Sequence, residues 1–413
     1  MRNQHSLPSW HRYPGRFTIV FGVLLLALFV IEHINGRFWL NDFRVYYGAG
    51  EALLKGDALY GVAHGLDSGV FKYAPALALF YALFALLPFS IAASIQYALI
   101  AIAFIDGSIR IDRLVREKLF PQRPAGYLPL FLTALVCVVH LHRELHLGNM
   151  NMLLLWVLVI VLERLLNGNR TIGAMLIGIA ILAKPHFVVL LPLLVLFGKY
   201  RELGISIGVV VLGIVLPSLF LGPATNLEVH KAWFSAMAEH NSSLIYTGGD
   251  DYRSVNTIYS FLHRSVGKYF MEPTSVEAYT ILGGIVLVFG AFLLWLKSRT
   301  SSLPSLFAMS YFLILALVPS ITLTDTEHFL LSMPLVAYLI HHLVPIARPR
   351  WLPLLGIPIL LTYGGNWEDA LGPFAAELIH YGVLGIGNVF LILICGWLYA
   401  RSNQTTQIAS KAR

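Results

Sequence analysis

The sequence predicts an all-α polytopic membrane protein with about twelve transmembrane helices and an external amphipathic helix in its first loop. Three observations lead there. Hydrophobic residues make up 57% of the 413 residues and charged residues 12%, with a mean hydropathy of +0.71, too little polar surface to cover a soluble globule. The apolar residues come in continuous runs rather than short alternating segments, which argues against an outer-membrane barrel and leaves helices as the spanning element. Basic residues, source of the formal charge of +7, gather in short connections between runs, with no stripe interleaved with aromatics that would suit nucleic acid. Cys137 and Cys395 are the only cysteines and each lies in an apolar run, which argues against a disulfide framework or a cysteine metal site.

The runs fall at residues 17–34, 74–88, 90–109, 127–141, 149–166, 171–183, 186–198, 203–222, 279–297, 304–321, 328–344, 351–363 and 383–400. Run 17–34 is long for a signal segment and lacks a small-residue cleavage site, so it is expected as an uncleaved first span. A full span needs roughly 20 residues, so the shorter runs are expected to be tilted, broken or half-length helices. Arg2, Arg12 and Arg16 precede the first run, and Arg110, Arg113, Arg116, Lys118 and Arg123 follow the third. Both regions are expected in the cytoplasm, followed there by the basic loops around Arg164, Lys199, Lys297, Arg348 and Arg401. Parity then requires residues 74–109 to hold one true span plus a re-entrant or half-length helix, with both termini cytoplasmic. Residues 1–413 read as a single membrane domain with two sizeable extracytoplasmic loops, 35–73 and 223–277.

In the first loop, a helix over residues 43–55 places Phe43, Tyr46, Tyr47, Gly50 and Leu54 on one side and Arg44, Gly48, Glu51 and Lys55 on the other. Asn41 or Asp42 is expected to cap it and Gly56 to stop it. The plain reading of Asp42 is that cap. The functional reading is an acid held at a membrane face, where a water-soluble hydroxyl meets a lipid-anchored donor.

The stretch from Asp42 to Gly61, followed by Tyr73-Ala74-Pro75 and the Leu87-Pro88 pair, resembles the opening of the glycosyltransferase family 87 proteins. Asp42, Phe43, Tyr46, Gly56, Tyr60, Tyr73, Pro75 and Pro88 carry the match. Later stretches also resemble the family: residues 146–156, where it carries a Gly-Gln-x-Asn element, Lys184-Pro185, residues 240–244 and residues 327–334. Asn149 stands where Gln is usual. The resemblance, over most of residues 37–335, implies a GT-C type fold and a polyprenyl-phosphate-sugar-dependent transferase, of mannosyl or arabinofuranosyl type, in the bacterial cytoplasmic (inner) membrane.

Among the remaining polar residues, His142, Glu144 and His146 invite a zinc reading, against which interfacial histidines bonded to water weigh more. Asn149 and Asn151, in a membrane-edge turn, suit sugar hydroxyls or simply cap the next helix. Lys184 interrupts an apolar stretch of about 27 residues, where a lysine snorkels or meets an anion. The paired acids Asp250 and Asp251 offer a divalent-cation site or a solvated turn after Gly248 and Gly249.

The resemblance implies inverting transfer on the extracytoplasmic face, with Asp42 as base and His328 as second active-site residue. Lys184, His186 and Arg253 are then the donor-phosphate ligands, and Tyr46, Tyr60, Tyr73, Asn149, Asn151, Asn241 and Ser243 the sugar and acceptor contacts. No cofactor or metal is expected, with divalent-cation dependence left open. The partners implied are a polyprenyl-phosphate-linked sugar, probed first as mannose, and a glycolipid or glycan acceptor. The rivals are a transporter or flippase of lipid-linked sugars, which calls for internal repeats and midplane polar groups, and a non-catalytic scaffold.

Overall fold

A computed structural model describes residues 13–66, 69–242, 256–266, 269, 275–300, 302–322, 325–345 and 349–411. Helices dominate, and among the described residues the one extended pairing is an isolated bridge between Ala63 and Val70. The first half runs α1 (Tyr13–Ile34), α2 (Asn41–Lys55), α3 (Pro75–Ala85), α4 (Phe89–Leu119), α5 (Tyr127–Val136), α6 (Val138–Leu147), α7 (Asn151–Leu166), α8 (Arg170–Ala183), α9 (Leu190–Leu196) and α10 (Tyr200–Val215). The second half continues with α11 (Ser218–Leu221), α12 (Pro223–Ser242), α13 (Ile258–Ser265), α14 (Ser275–Ser298), α15 (Leu303–Ile321), α16 (Met333–Leu343), α17 (Trp351–Gly364), α18 (Glu368–Leu371), α19 (Pro373–His380) and α20 (Val383–Lys411).

Six of the described helices are long and apolar enough to cross a membrane, or seven if α5 and α6, bent by 56° at Cys137, form one span. Four further apolar helical stretches are shorter: Pro75–Ala85, Arg170–Ala183, Pro185–Leu196 and Trp351–Gly364. Several of the other apolar runs are cut by Pro, Gly or a polar residue before reaching about 20 residues, which leaves shortened or broken helices there. Within residues 74–109 the chain forms the 11-residue α3 and then the 31-residue α4, a half-length helix followed by a span.

The interior gathers on α15, whose residues from Leu306 to Ser320 are all buried, and on α16, α4 and α7 around it. Polar side chains lock this interior where apolar packing alone has no direction. Asn388 donates to the carbonyl of Ala316 and the hydroxyl of Ser320, and accepts from Ser332, at 2.8, 2.8 and 2.6 Å. Its bonds join α20, α15 and the turn preceding α16, satisfying an amide that hydrocarbon would otherwise penalise.

Helix α2 carries the expected amphipathic pattern, burying Phe43, Val45, Tyr46, Ala49, Gly50 and Ala52, while Leu54 points outward. At Gly50 the α3 backbone comes so near that an added Cβ would sit 2.6 Å from the Ala82 nitrogen, so the glycine sets how closely α2 packs on α3. Gly56 ends the helix in the left-handed region at φ 76°, as its sequence position implies. The start differs from expectation. Leu40, at φ 45° and ψ 55°, occupies the cap position, and no side chain caps the helix. The stretch 223–277 opens with the 20-residue α12, whose Trp233 indole donates to the carbonyl of Lys72 at 3.2 Å, and it also contains α13.

Candidate active site

Four chain breaks meet where α2 begins. The first is that start itself, which places Asp42 in the opening helical turn. The second is the turn between α6 and α7, where Gly148 adopts φ 68° and lies against Phe43 and Leu40, so that an added Cβ would be 2.9 Å from the Phe43 Cβ. The third is the end of α8. Pro185 forces the preceding residue into extended backbone, so Lys184 leaves the helix at φ −138° and ψ 107° and points inward, 3% exposed. The fourth is a 3-10 turn, Thr326–Ser332, closed by a capping box between Asp325 and His328.

Their side chains form one continuous polar run. Asn149 Nδ2 donates to Asp42 Oδ2 at 2.6 Å and reaches Glu327 Oε1 at 3.4 Å. Asn149 Oδ1 accepts from the Tyr46 hydroxyl at 3.0 Å and from the backbone N–H of Met150 at 2.7 Å. The Tyr46 and Tyr73 hydroxyls lie 3.2 Å apart, and Tyr60 donates to the Tyr73 carbonyl at 2.6 Å. Glu327 accepts from Arg143 Nε at 3.3 Å and stands 3.5 Å from His328 Nδ1. Lys184 Nζ lies 3.0 Å from His328 Nε2, donates to Asn151 Oδ1 at 2.5 Å and sits 5.9 Å from the centre of the Tyr73 ring. Asn151 in turn donates to Glu144 Oε2 at 3.0 Å, and Glu144 Oε1 receives the Met152 N–H at 2.7 Å.

Electrostatics follow from this crowding of charge in a dry place. Burial pushes the Asp42 carboxyl up to about 7, and the Glu327 carboxylate pushes the same way. Lys184 and the Asn149 hydrogen bond oppose the rise, while Asp325 adds to it. Asp42 is therefore held near neutral titration while part of its surface stays open. Its Oδ1 has no hydrogen-bond partner among the described residues.

Of the residues singled out from sequence, Asp42, Tyr46, Tyr73, Asn149, Asn151, Lys184 and His328 meet in this run, with Tyr60 at its edge. His186 lies within electrostatic reach of Lys184 and His328, and its Nε2 is buried without a hydrogen-bond partner among the described residues. Ser243, Asp250, Asp251 and Arg253 lie outside the described residues, as does the side chain of Asn241.

One expectation changes. Asp42 is not a helix cap, because its carboxylate turns across to Asn149. Asn149 and Asn151, 3% and 1% exposed, bond protein partners through their amides. His142 and His146 face Glu32 at 4.0 and 3.4 Å, and no group of three or more His, Cys, Asp or Glu side chains is placed to hold a metal ion among the described residues.

From sequence, Glu327 and Arg143 were passed over as site residues, and Glu144 entered only through the zinc reading. The signal available was a carboxylate beside an apolar run, which needs a partner when buried.

Comparison with known proteins adds a second line. Residues 71–320, more than half of the chain, match the family model of glycosyltransferase family 87, and Asp42 and His328 lie outside that stretch. No curated protein matches the chain. Among solved structures, ArnT from Cupriavidus metallidurans bound to undecaprenyl phosphate is similar at 15% identity and a TM-score of 0.43, over 96% of this chain and 79% of that one. The apo state of the same protein is similar at 16% identity and a TM-score of 0.40, over 92% and 77%.

Proposed function

Because the chain belongs to glycosyltransferase family 87 and is thus a membrane glycosyltransferase, we propose that it transfers a sugar, mannose first among candidates, with inversion from a polyprenyl-phosphate donor to an acceptor hydroxyl on the extracytoplasmic side. The observation that carries this reading is the hydrogen-bonded run from Asp42 through Asn149, Glu327 and His328 to Lys184, drawn from four separate segments to one end of apolar helices.

Each role follows from bonding capacity. The acceptor oxygen attacks the anomeric carbon as the bond from that carbon to the phosphate oxygen breaks, and Asp42 takes the hydroxyl proton. Its open Oδ1 is the receiving atom, and a carboxyl titrating at about 7 binds that proton far better than one at the ordinary 3.8. The departing phosphate needs its charge compensated. Lys184 has three ammonium hydrogens, of which Asn151 and His328 engage two, leaving one for a phosphate oxygen. The half-exposed Arg143 extends that positive edge. Fixed charges of this kind contribute most where water is excluded. Tyr60 and Tyr73, partly buried, supply ring surface beside it for the sugar.

The test is transfer by the purified protein in lipid vesicles, with radiolabelled polyprenyl-phosphate-mannose and a membrane lipid extract. Labelled glycolipid should form with wild type, while Asp42→Asn should bind donor without turnover. Equal activity of the variant would remove Asp42 as the base. Transfer from an arabinofuranosyl donor alone would keep the mechanism and replace the sugar.

A further inference from the structure

We propose that Asn149 is a positioning residue for the transferase: it aims the Asp42 carboxylate, ties it to Glu327, and holds no sugar itself. The inference rests on the reading of Asp42 as base and explains how that base is kept in place.

A side-chain amide has two donor hydrogens and two acceptor lone pairs. All four are engaged within the protein at Asn149: Asp42 and Glu327 take the hydrogens, and Tyr46 and the Met150 N–H fill the oxygen. The orientation of the amide is fixed by chemistry. The Met150 backbone nitrogen, 2.7 Å away, can only donate, so the atom facing it is the oxygen. A flipped amide would set N–H against N–H there and oxygen against the two carboxylates. The NH2 group therefore must face Asp42 and Glu327.

The backbone beneath is held as firmly. Gln96 Nε2 donates to the Gly148 carbonyl at 3.1 Å, the Asn149 N–H donates to the Glu144 carbonyl at 3.2 Å, and Gly148 lies against the base of α2. Asp42 thus receives a short hydrogen bond from a group that cannot rotate away.

The bond also acts on charge. The groups facing Asp42 are Glu327 and Asp325 from the 3-10 turn, Lys184 from the end of α8, Tyr73 before α3, and Tyr46 on its own helix, with Arg143 and His328 set on Glu327. Two carboxylates in that set disfavour the ionised base, whereas the Asn149 hydrogen bond and Lys184 favour it. Removing the amide tips the balance toward the protonated acid and lets the carboxyl group swing.

The experiment compares Asn149→Ala and Asn149→Gln in the full-length protein in vesicles, by two readouts. The first is the infrared C=O band of the protonated Asp42, isolated as the difference between each protein and its Asp42→Asn counterpart and titrated with pH. It requires no turnover. The second is sugar transfer, resolved into kcat and KM.

With Asn149→Ala, the Asp42 midpoint should rise by about one pH unit. Transfer should fall through kcat by about 10- to 100-fold, with KM for donor and acceptor within about threefold. Asn149→Gln, which restores an amide and is the residue usual at this place in the resembling proteins, should recover most of both. An unmoved midpoint together with a rise in KM of about tenfold or more would overturn the proposal and return Asn149 to sugar binding. Should wild type transfer no sugar, a shifted midpoint would still support the Asn149–Asp42 coupling while the transferase reading failed. An unmoved midpoint in that case would overturn both. Thermal midpoints of the variants, with Asn149→Ser in reserve, separate a folding defect from either result.

Discussion

Lowering the pH from 8 to 6 should slow the first irreversible encounter of enzyme and donor about tenfold, through one carboxyl group. With its pKa at about 7, Asp42 is about nine-tenths ionised at pH 8, half at pH 7 and about one-tenth at pH 6. Its ordinary value of 3.8 would leave it ionised throughout that interval and the rate flat. The assay is kcat/KM for transfer from labelled donor between pH 5 and 8.5, which reports the ionisation of the free enzyme and excludes the push of a bound phosphate.

Stability moves the other way. The folded pKa exceeds the unfolded one, so the folded protein binds more protons between about pH 4 and 7 and loses stability as pH rises through that window. Asp42→Asn cannot ionise, and it should be the more stable protein at pH 8, by at most about 4 kcal/mol for a shift of about three units. A flat kcat/KM profile between pH 6 and 8, or a variant whose thermal midpoint gains nothing over that of wild type on going from pH 4 to 8, would refute the assignment of a raised pKa to Asp42.

Two further outcomes follow from the geometry. Lys184→Met should cut transfer about 100-fold or more and weaken donor binding ahead of acceptor binding. It should also lower the thermal midpoint, since removing one member of a buried charge cluster costs about 3–5 kcal/mol; titration with labelled donor and a melting scan check both. Gly148→Ala places a Cβ 2.9 Å from that of Phe43 at a φ of 68°, so it should destabilise the protein by about 1–3 kcal/mol, and transfer should fall more than donor binding because the turn carrying Asn149 must move.

How much of this was legible in the chain follows from the range of each interaction. Helix α2 was readable because its buried face repeats every three to four residues and Gly56 stands at its end. Its first turn was not. A local rule assigns Asp42 to the cap, but Leu40 takes the left-handed backbone and the carboxylate pairs with Asn149, 107 residues away. Lys184 drew notice as a charge in an apolar run, and Pro185 explains locally why it leaves α8. Glu327 carried no such mark, and Glu144 only that of a weak zinc reading, because what makes them compatible with burial is a set of partners beyond their own helical turn: Asn149 to Glu327 alone spans 178 residues. The number of full-length spans is not set by composition alone, because apolar runs continue through bends such as the one at Cys137.

The spread of the site along the chain also sets an order in time. Asp42 enters the membrane with the first loop, whereas Glu327 and His328 are synthesised roughly 290 residues later, which at ribosomal speed is on the order of 15–60 s. Through that interval the newborn protein carries Asp42 but lacks the 3-10 turn that completes the charge run. Helices α15 and α16 bracket that turn, and α17 to α20 follow it along the chain. On the proposed mechanism, a chain interrupted before residue 325 lacks Glu327 and His328 and should transfer no sugar.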